Sequence, residues 1–104
     1  MSITFNLYYK GKNNNALLFA KEMEESGIAD KIRSSKGNLK YEYFVPLNIS
    51  DTVLLIDSWQ DEAALRLHHE GPLMKEIALL REKYDLHMTA KRFTEEEIKK
   101  DNEE

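Results

Sequence analysis

Two adjacent histidines, His68 and His69, are the residues of this sequence best suited to moving protons near neutral pH, where the imidazole ordinarily titrates. A neutral imidazole can take a proton from a phenol or an enol, and His68 is the leading candidate for that work. On a helix the two are offset by about 100°, so only one easily faces a given pocket. Adjacency also argues against a metal site, since two ligands on one helix face require i, i+4 spacing. Trp59 can offer a flat wall and an indole N–H to an aromatic ligand, or can seal its strand to the following helix as a core aromatic. Asn6 interrupts an apolar stretch, and a buried amide there must find a ligand carbonyl or a neighbouring backbone group. Tyr8, Tyr41 and Tyr43 can each hydrogen-bond a substrate or pack with the hydroxyl at an edge. Asp57 can orient His68 or pair with a Lys or Arg across a sheet. Met23, Met74 and Met88 can soften an apolar pocket or simply fill core space.

These residues sit on elements that the hydrophobic pattern marks out. Ile3, Phe5, Leu7 and Tyr9 alternate with Thr4, Asn6 and Tyr8, which predicts a strand. Gly11 and Asn13-Asn14-Asn15 break that pattern, and one of the asparagines is expected to cap a helix carrying Ala16, Phe19, Ala20 and Met23 on one face. Gly27 marks its end before a shorter turn through Ile28 and Ile32. Leu39–Val45 is a second predicted strand. Thr52–Trp59 is a third, apolar on both sides for most of its length, as expected of a strand covered on both faces. Asp61-Glu62 opens a helix reaching His68-His69, Gly71-Pro72 punctuates it, and Leu73, Ile77, Leu80 and Tyr84 stripe another helix. Leu86–Phe93 is the last strand. Residues 1–93 are read as one domain, and the charged segment 94–104 as a tail or a short helix. The order predicts an α+β, ferredoxin-like fold: a four-stranded antiparallel sheet with helices on one face. The other face of so short a chain is most simply covered by a second copy, sheet against sheet, as a homodimer.

Composition removes several function classes. A net charge of −4 on 104 residues, with 41% hydrophobic side chains, provides neither the basic stripe expected of a nucleic-acid binder nor attraction to anionic membrane surfaces. The absence of cysteine excludes disulfides and thiolate chemistry, and fits the cytoplasm. The N-terminal segment lacks the features of a signal peptide. Gly-x-Gly-x-x-Gly, Walker and Gly-x-Ser-x-Gly patterns are missing, so no nucleotide cradle or nucleophile elbow is expected. The strand order also suits an RNA-recognition module, but Thr52–Trp59 has none of the Lys, Arg or Gly that such a third strand needs.

The segment Leu54-Leu55-Ile56-Asp57-Ser58-Trp59-Gln60-Asp61-Glu62-Ala63-Ala64-Leu65-Arg66-Leu67-His68 resembles the antibiotic-biosynthesis-monooxygenase family of the dimeric α+β barrel superfamily. That family runs an apolar strand, an acidic residue, Trp, an acidic helix start, Ala-Leu and then His. Gly37-Asn38-Leu39-Lys40-Tyr41-Glu42 similarly resembles its Gly-x-x-x-Tyr-Glu pattern. Asp57 stands where the family commonly has Glu, and Leu73 where a second His is often found. Asn6 matches the Asn of haem-degrading relatives, but His68 and Ala78 do not supply the rest of their set, which disfavours a haem-oxygenase role. The resemblance implies a monooxygenase without metal, flavin or haem that oxidises a small phenol or quinol to a quinone with O₂. It places His68 as base or proton shuttle, Asn6 as an orienting donor and Trp59 as a wall. Tyr8 and Tyr43 are expected as substrate contacts from their residue type and strand position, not from the resemblance. Isomerisation of a small carbonyl metabolite and non-catalytic binding of a small ligand remain the rival readings.

Overall fold

The computed structural model describes residues 2–95. The chain runs β1 (Ser2–Lys10), α1 (Asn15–Glu25), α2 (Ile28–Arg33), β2 (Asn38–Phe44), β3 (Thr52–Trp59), α3 (Glu62–Glu70), α4 (Leu73–Lys83) and β4 (His87–Glu95). The strands form one antiparallel sheet in the order β2-β3-β1-β4. This is the expected α+β, ferredoxin-like arrangement, and all eight elements fall within a few residues of their predicted places. The last strand reaches Glu95, two residues past the expected end. The remainder of the predicted tail, 96–104, lies outside the described residues.

Strand parity decides what each side chain meets. Ile3, Phe5, Leu7 and Tyr9 pair with Trp59, Asp57, Leu55 and Val53 of β3, and Tyr41 and Tyr43 of β2 continue the same rows. These side chains face the helices. Phe19, Met23 and Ile32 from α1 and α2 pack into one core with Val53, Leu55 and Trp59, all fully buried. Each such apolar side chain contributes about 1.5–3 kcal/mol relative to an exposed one. The opposite face carries Thr4, Asn6 and Tyr8 beside Ser58, Ile56 and Leu54, with Lys40, Glu42 and Phe44 on one flank and Thr89, Lys91 and Phe93 on the other. Among the described residues no helix covers that face. Leu54 and Ile56 are half-buried there, and Phe93 is 46% exposed.

Local signals explain the helix starts, with one exception. Asp61 caps α3 by accepting from Ala64 N–H at 2.9 Å, and Glu62 sits in the first turn. The expected asparagine cap of α1 does not form. Asn14 adopts a left-handed backbone (φ 63°) that turns its side chain away from the helix N–H groups, and its own N–H donates to Asp51 Oδ1 at 3.2 Å. Asn15 instead ties α1 to the end of α4 by donating from Nδ2 to the Tyr84 carbonyl at 3.1 Å. Among the described residues no helix is long and apolar enough to cross a membrane.

Gly37 joins the sheet to α3. Its carbonyl accepts from Gln60 N–H at 2.8 Å, its φ is +86°, and a Cβ added there would lie 2.4 Å from Ala64 Cβ. Gly27 has the same φ but open space around it. Urea denaturation should therefore separate them: Gly37→Ala should destabilise the fold by about 2–4 kcal/mol, combining left-handed strain with overpacking. Gly27→Ala should cost only the strain, about 1 kcal/mol.

Candidate active site

Between the helix-facing side of the sheet and helices α3 and α4 lies a cavity of about 210 Å³. Its walls are mostly apolar, from Phe5, Leu7, Leu55, Met74, Ile77 and Met88, and its polar groups are Tyr9, Tyr41, Asp57, His68, His69 and Arg81. A larger groove of about 480 Å³ runs beside α1 and β2, but it is a more open surface with Lys21, Glu24, Glu25, Arg33 and Glu42 at its rim. An apolar recess on which a few ionisable groups converge is the arrangement expected of a small-molecule site, so the smaller cavity is the better candidate.

Asp57 is the one carboxyl among the residues that line the cavity. Its position on β3 places the carboxyl between Leu55 and Trp59 on the helix-facing side, and it is 6% exposed. Burial raises its pKa from 3.8 to about 7. Trp59 and Asn38 pull it back only in part, as weak donors. The Asn38 Nδ2 lies 3.5 Å from Oδ1, and the buried Trp59 Nε1–H has no partner of full hydrogen-bond geometry. Asn38 reaches this position at an irregularity in the β2–β3 register between Asn38 and Lys40.

His68 is moved the other way. It is 9% exposed and stacks on Trp59 with ring centroids 4.7 Å apart. Burial first, and then the neighbouring His69, lower its pKa from 6.5 to about 4, so the ring is neutral at physiological pH. Both histidines line the cavity, His68 buried and His69 exposed at its mouth, with ring centroids 5.8 Å apart. The expectation that only one would face a pocket fails because the cavity lies beside the end of α3, where it meets both.

The remaining sequence candidates scatter. Asn6 and Tyr8 project from the opposite face of the sheet to His68, since they alternate with Phe5, Leu7 and Tyr9 along β1. Asn6 lines a shallow depression there with Thr4, Ile56, Ser58 and Phe93, so one chain does not bring it together with His68. Trp59 is fully buried behind His68 and borders a second, outer pocket rather than the cavity itself. Tyr43 lines the α1 groove, and its hydroxyl lies 3.1 Å from that of Tyr41. Burial raises the pKa of both, and it raises Tyr9 to about 12, so all three stay protonated. From the sequence Asp57 is expected to orient His68 or to pair with a Lys or Arg across the sheet, and Arg81 and Tyr9 carry no expected role. In the structure Asp57 makes no ion pair among the described residues. Parity alone could have flagged Asp57, because it shares the phase of Val53, Leu55 and Trp59. Among the described residues no group of three or more His, Asp or Glu side chains is arranged to hold a metal.

These two shifts oppose each other in stability. Asp57, raised, holds its proton in the folded state between pH 3.8 and about 7, so its contribution is full at low pH and is lost as pH rises through that window. His68, depressed, stays neutral while the unfolded chain takes up a proton below 6.5, so stability falls as pH drops toward about 4. Replacing Asp57 with Asn removes the first effect. Thermal and urea denaturation at two pH values should show Asp57→Asn gaining about 2 kcal/mol over wild type on going from pH 5.5 to pH 8. An unchanged difference between the two proteins would mean that Asp57 titrates normally.

Comparison with known proteins agrees with the fold. YcnE of Bacillus subtilis (strain 168), named as a candidate monooxygenase, is 30% identical over 47 residues, 45% of this chain and 50% of that protein. The chain thus spans about half the length of this curated relative. Among solved structures, a variant of SnoaB, a cofactor-independent oxygenase from Streptomyces nogalater, superposes with a TM-score of 0.77 at 14% identity, covering 93% of this chain and 95% of that one. A protein from Deinococcus radiodurans, described as a candidate antibiotic biosynthesis monooxygenase, gives 0.76 at 17% identity over 96% and 97% of the two chains. At such identities these likenesses speak for the fold alone. The family model for antibiotic biosynthesis monooxygenases, however, matches residues 15–78, more than half of the chain and the stretch that carries Asp57, Trp59 and His68. The chain belongs to the antibiotic biosynthesis monooxygenase family.

Proposed function

We propose that the protein is a cofactor-independent monooxygenase that converts a small phenol or quinol to a quinone with O₂, and that Asp57 is its base. The observation that carries this reading is a buried carboxyl, its pKa pushed up by desolvation to about 7, in a cavity whose walls are mostly apolar. Such a group accepts and returns protons at working pH, which is what general acid–base catalysis needs. SnoaB, of the same fold, is named a cofactor-independent oxygenase, which supports the choice of chemistry.

In the proposed sequence, ionised Asp57 takes the phenolic proton. The electron-rich phenolate reduces O₂, and the resulting pair joins through a new C–O bond at the ring carbon para to the oxygen. Asp57 returns its proton to the distal oxygen of that peroxide. It then takes the proton of the same ring carbon as the O–O bond breaks and the carbonyl forms, and it gives this proton to the departing hydroxide. For a phenol with hydrogen at the para carbon the balance is phenol plus O₂ to quinone plus water. A quinol, which already carries the para oxygen, instead gives its two electrons and two protons to O₂ and leaves quinone plus hydrogen peroxide. With its low pKa, His68 is a weak acceptor at neutral pH and acts as a neutral hydrogen-bonding partner to the substrate, with Trp59 holding its ring in place. Apolar walls keep competing water from the reacting carbon.

The open sheet face, with Leu54, Ile56 and Phe93, supports association with a second copy, and a cytoplasmic location fits a chain without cysteine. In that assembly Asn6 and Tyr8 lie at the subunit contact. Analytical ultracentrifugation should then find a dimer for wild type and a monomer for Ile56→Lys. A monomeric wild type would refute the pairing.

Oxygen consumption with a panel of anthrones and of phenols bearing hydrogen at the para carbon tests the chemistry. The pH profile of kcat/KM should rise to a plateau with an apparent pKa near 7, set by Asp57 among its neighbours Tyr9, Tyr41, His68, His69 and Arg81. Asp57→Asn should lower kcat/KM by about 10²–10⁴-fold, and His68→Gln by about tenfold. Full activity of Asp57→Asn would remove it from the mechanism. Proton transfer on a carbonyl substrate is the second reading that the same carboxyl favours, and turnover under anaerobic conditions would select it.

A further inference from the structure

Asp57 and Arg81 line the same cavity without pairing. Among the described residues Arg81 forms no ion pair, and its Nε–H is buried with no hydrogen-bond partner. Its guanidinium carbon lies 5.8 Å from the centre of the Tyr9 ring, a contact that helps to hold the group in place but gives Nε–H no acceptor. A buried guanidinium donor without an acceptor is rare, because losing water without a replacement is costly. Position at the end of α4, where cations complement the helix dipole, accounts for an arginine there but not for its lining the cavity with Leu7, Ile77 and Met88.

We infer that Arg81 is an anion receptor that selects substrates carrying an oxyanion, a phenolate or a carboxylate, on a flat apolar ring. The inference rests on the reading of this cavity as the substrate site. Arg81 presents a planar, permanently charged fork suited to carboxylate and phenolate oxygens, and the apolar walls accept the ring. It also answers a difficulty in the proposed mechanism. An ordinary phenol, with a pKa near 10 like that of tyrosine, holds its proton about three units more firmly than Asp57. A cation beside the phenolate oxygen narrows that gap, so the residue that binds the substrate also makes its deprotonation by Asp57 feasible. Tyr9, beneath the guanidinium, is a positioning residue for it.

Calorimetric titration with 1-naphthoate and its neutral counterpart 1-naphthamide tests this on wild type, Arg81→Lys and Arg81→Met, with thermal melting to verify folding. Wild type should bind naphthoate at least tenfold more tightly than naphthamide. Arg81→Met should lose that preference while keeping its affinity for naphthamide within about twofold, and Arg81→Lys should keep part of the preference. Equal binding of the two ligands by wild type, which needs no variant, would overturn the role of Arg81 while leaving the cavity as a ligand site. A preference undiminished in Arg81→Met would do the same. Failure of both ligands to bind would overturn the inference and the reading of the cavity together.

Discussion

A carboxyl group set among apolar side chains on the covered side of a central strand governs the site. Asp57 shares its row with Val53, Leu55 and Trp59, and water reaches little of it. Removing a charge from water is expensive, and the surroundings offer only a distant amide and an indole N–H in compensation. The group responds by holding its proton up to about neutral pH. Had a lysine or arginine been paired with it, the carboxyl would be an ordinary anion with little use as a proton carrier. The fold thus tolerates an unfavourable burial at one position of β3, and the result is a carboxyl that titrates near neutral pH on the cavity wall.

The same burial acts in reverse on His68. Desolvation disfavours charge of either sign, so it raises the acid and lowers the base. Two groups that in water would exchange a proton readily are both kept neutral around pH 6. Stacking on Trp59 then fixes the imidazole as a hydrogen-bonding surface. In the proposed mechanism, proton transfer and orientation are divided between Asp57 and His68 by their environment rather than by their intrinsic chemistry, as happens where neighbouring titratable groups have their pKa values pushed apart.

Strand parity is the reason the site is compact and also the reason it omits residues that seem adjacent in sequence. One step along β1 separates Phe5 and Leu7, which wall the cavity, from Asn6, which faces the uncovered side. The two sides answer different demands. The helix side encloses a recess through the packing of α3 and α4 against the sheet, whereas the open side presents Leu54, Ile56 and Phe93 among polar neighbours. Arg81 joins the recess from α4, and no local pattern around it distinguishes it from Lys75 or Lys83, which are exposed.

Alternation in Ile3–Tyr9, the doubly apolar Thr52–Ile56 run, the acidic start at Asp61 and the stripe of Leu73, Ile77 and Leu80 were enough, by themselves, to determine the elements, their order and the ferredoxin-like sheet. Periodicity reports which residues share a face of their own element, and that is a local property. The Trp59 to His68 pattern likewise located two neighbours that do meet. Whether a polar side chain ends in a cavity, against a ring or in water depends on what other elements bring to the same place. Alternation already sets Asn6 and Tyr8 on the other side of β1 and Asp57 in phase with Val53, Leu55 and Trp59. Only tertiary packing decided that Asp57 is an unpaired acid in a recess and that Arg81 lines the same recess, because burial and its effect on charge belong to the assembled surroundings and not to the residue.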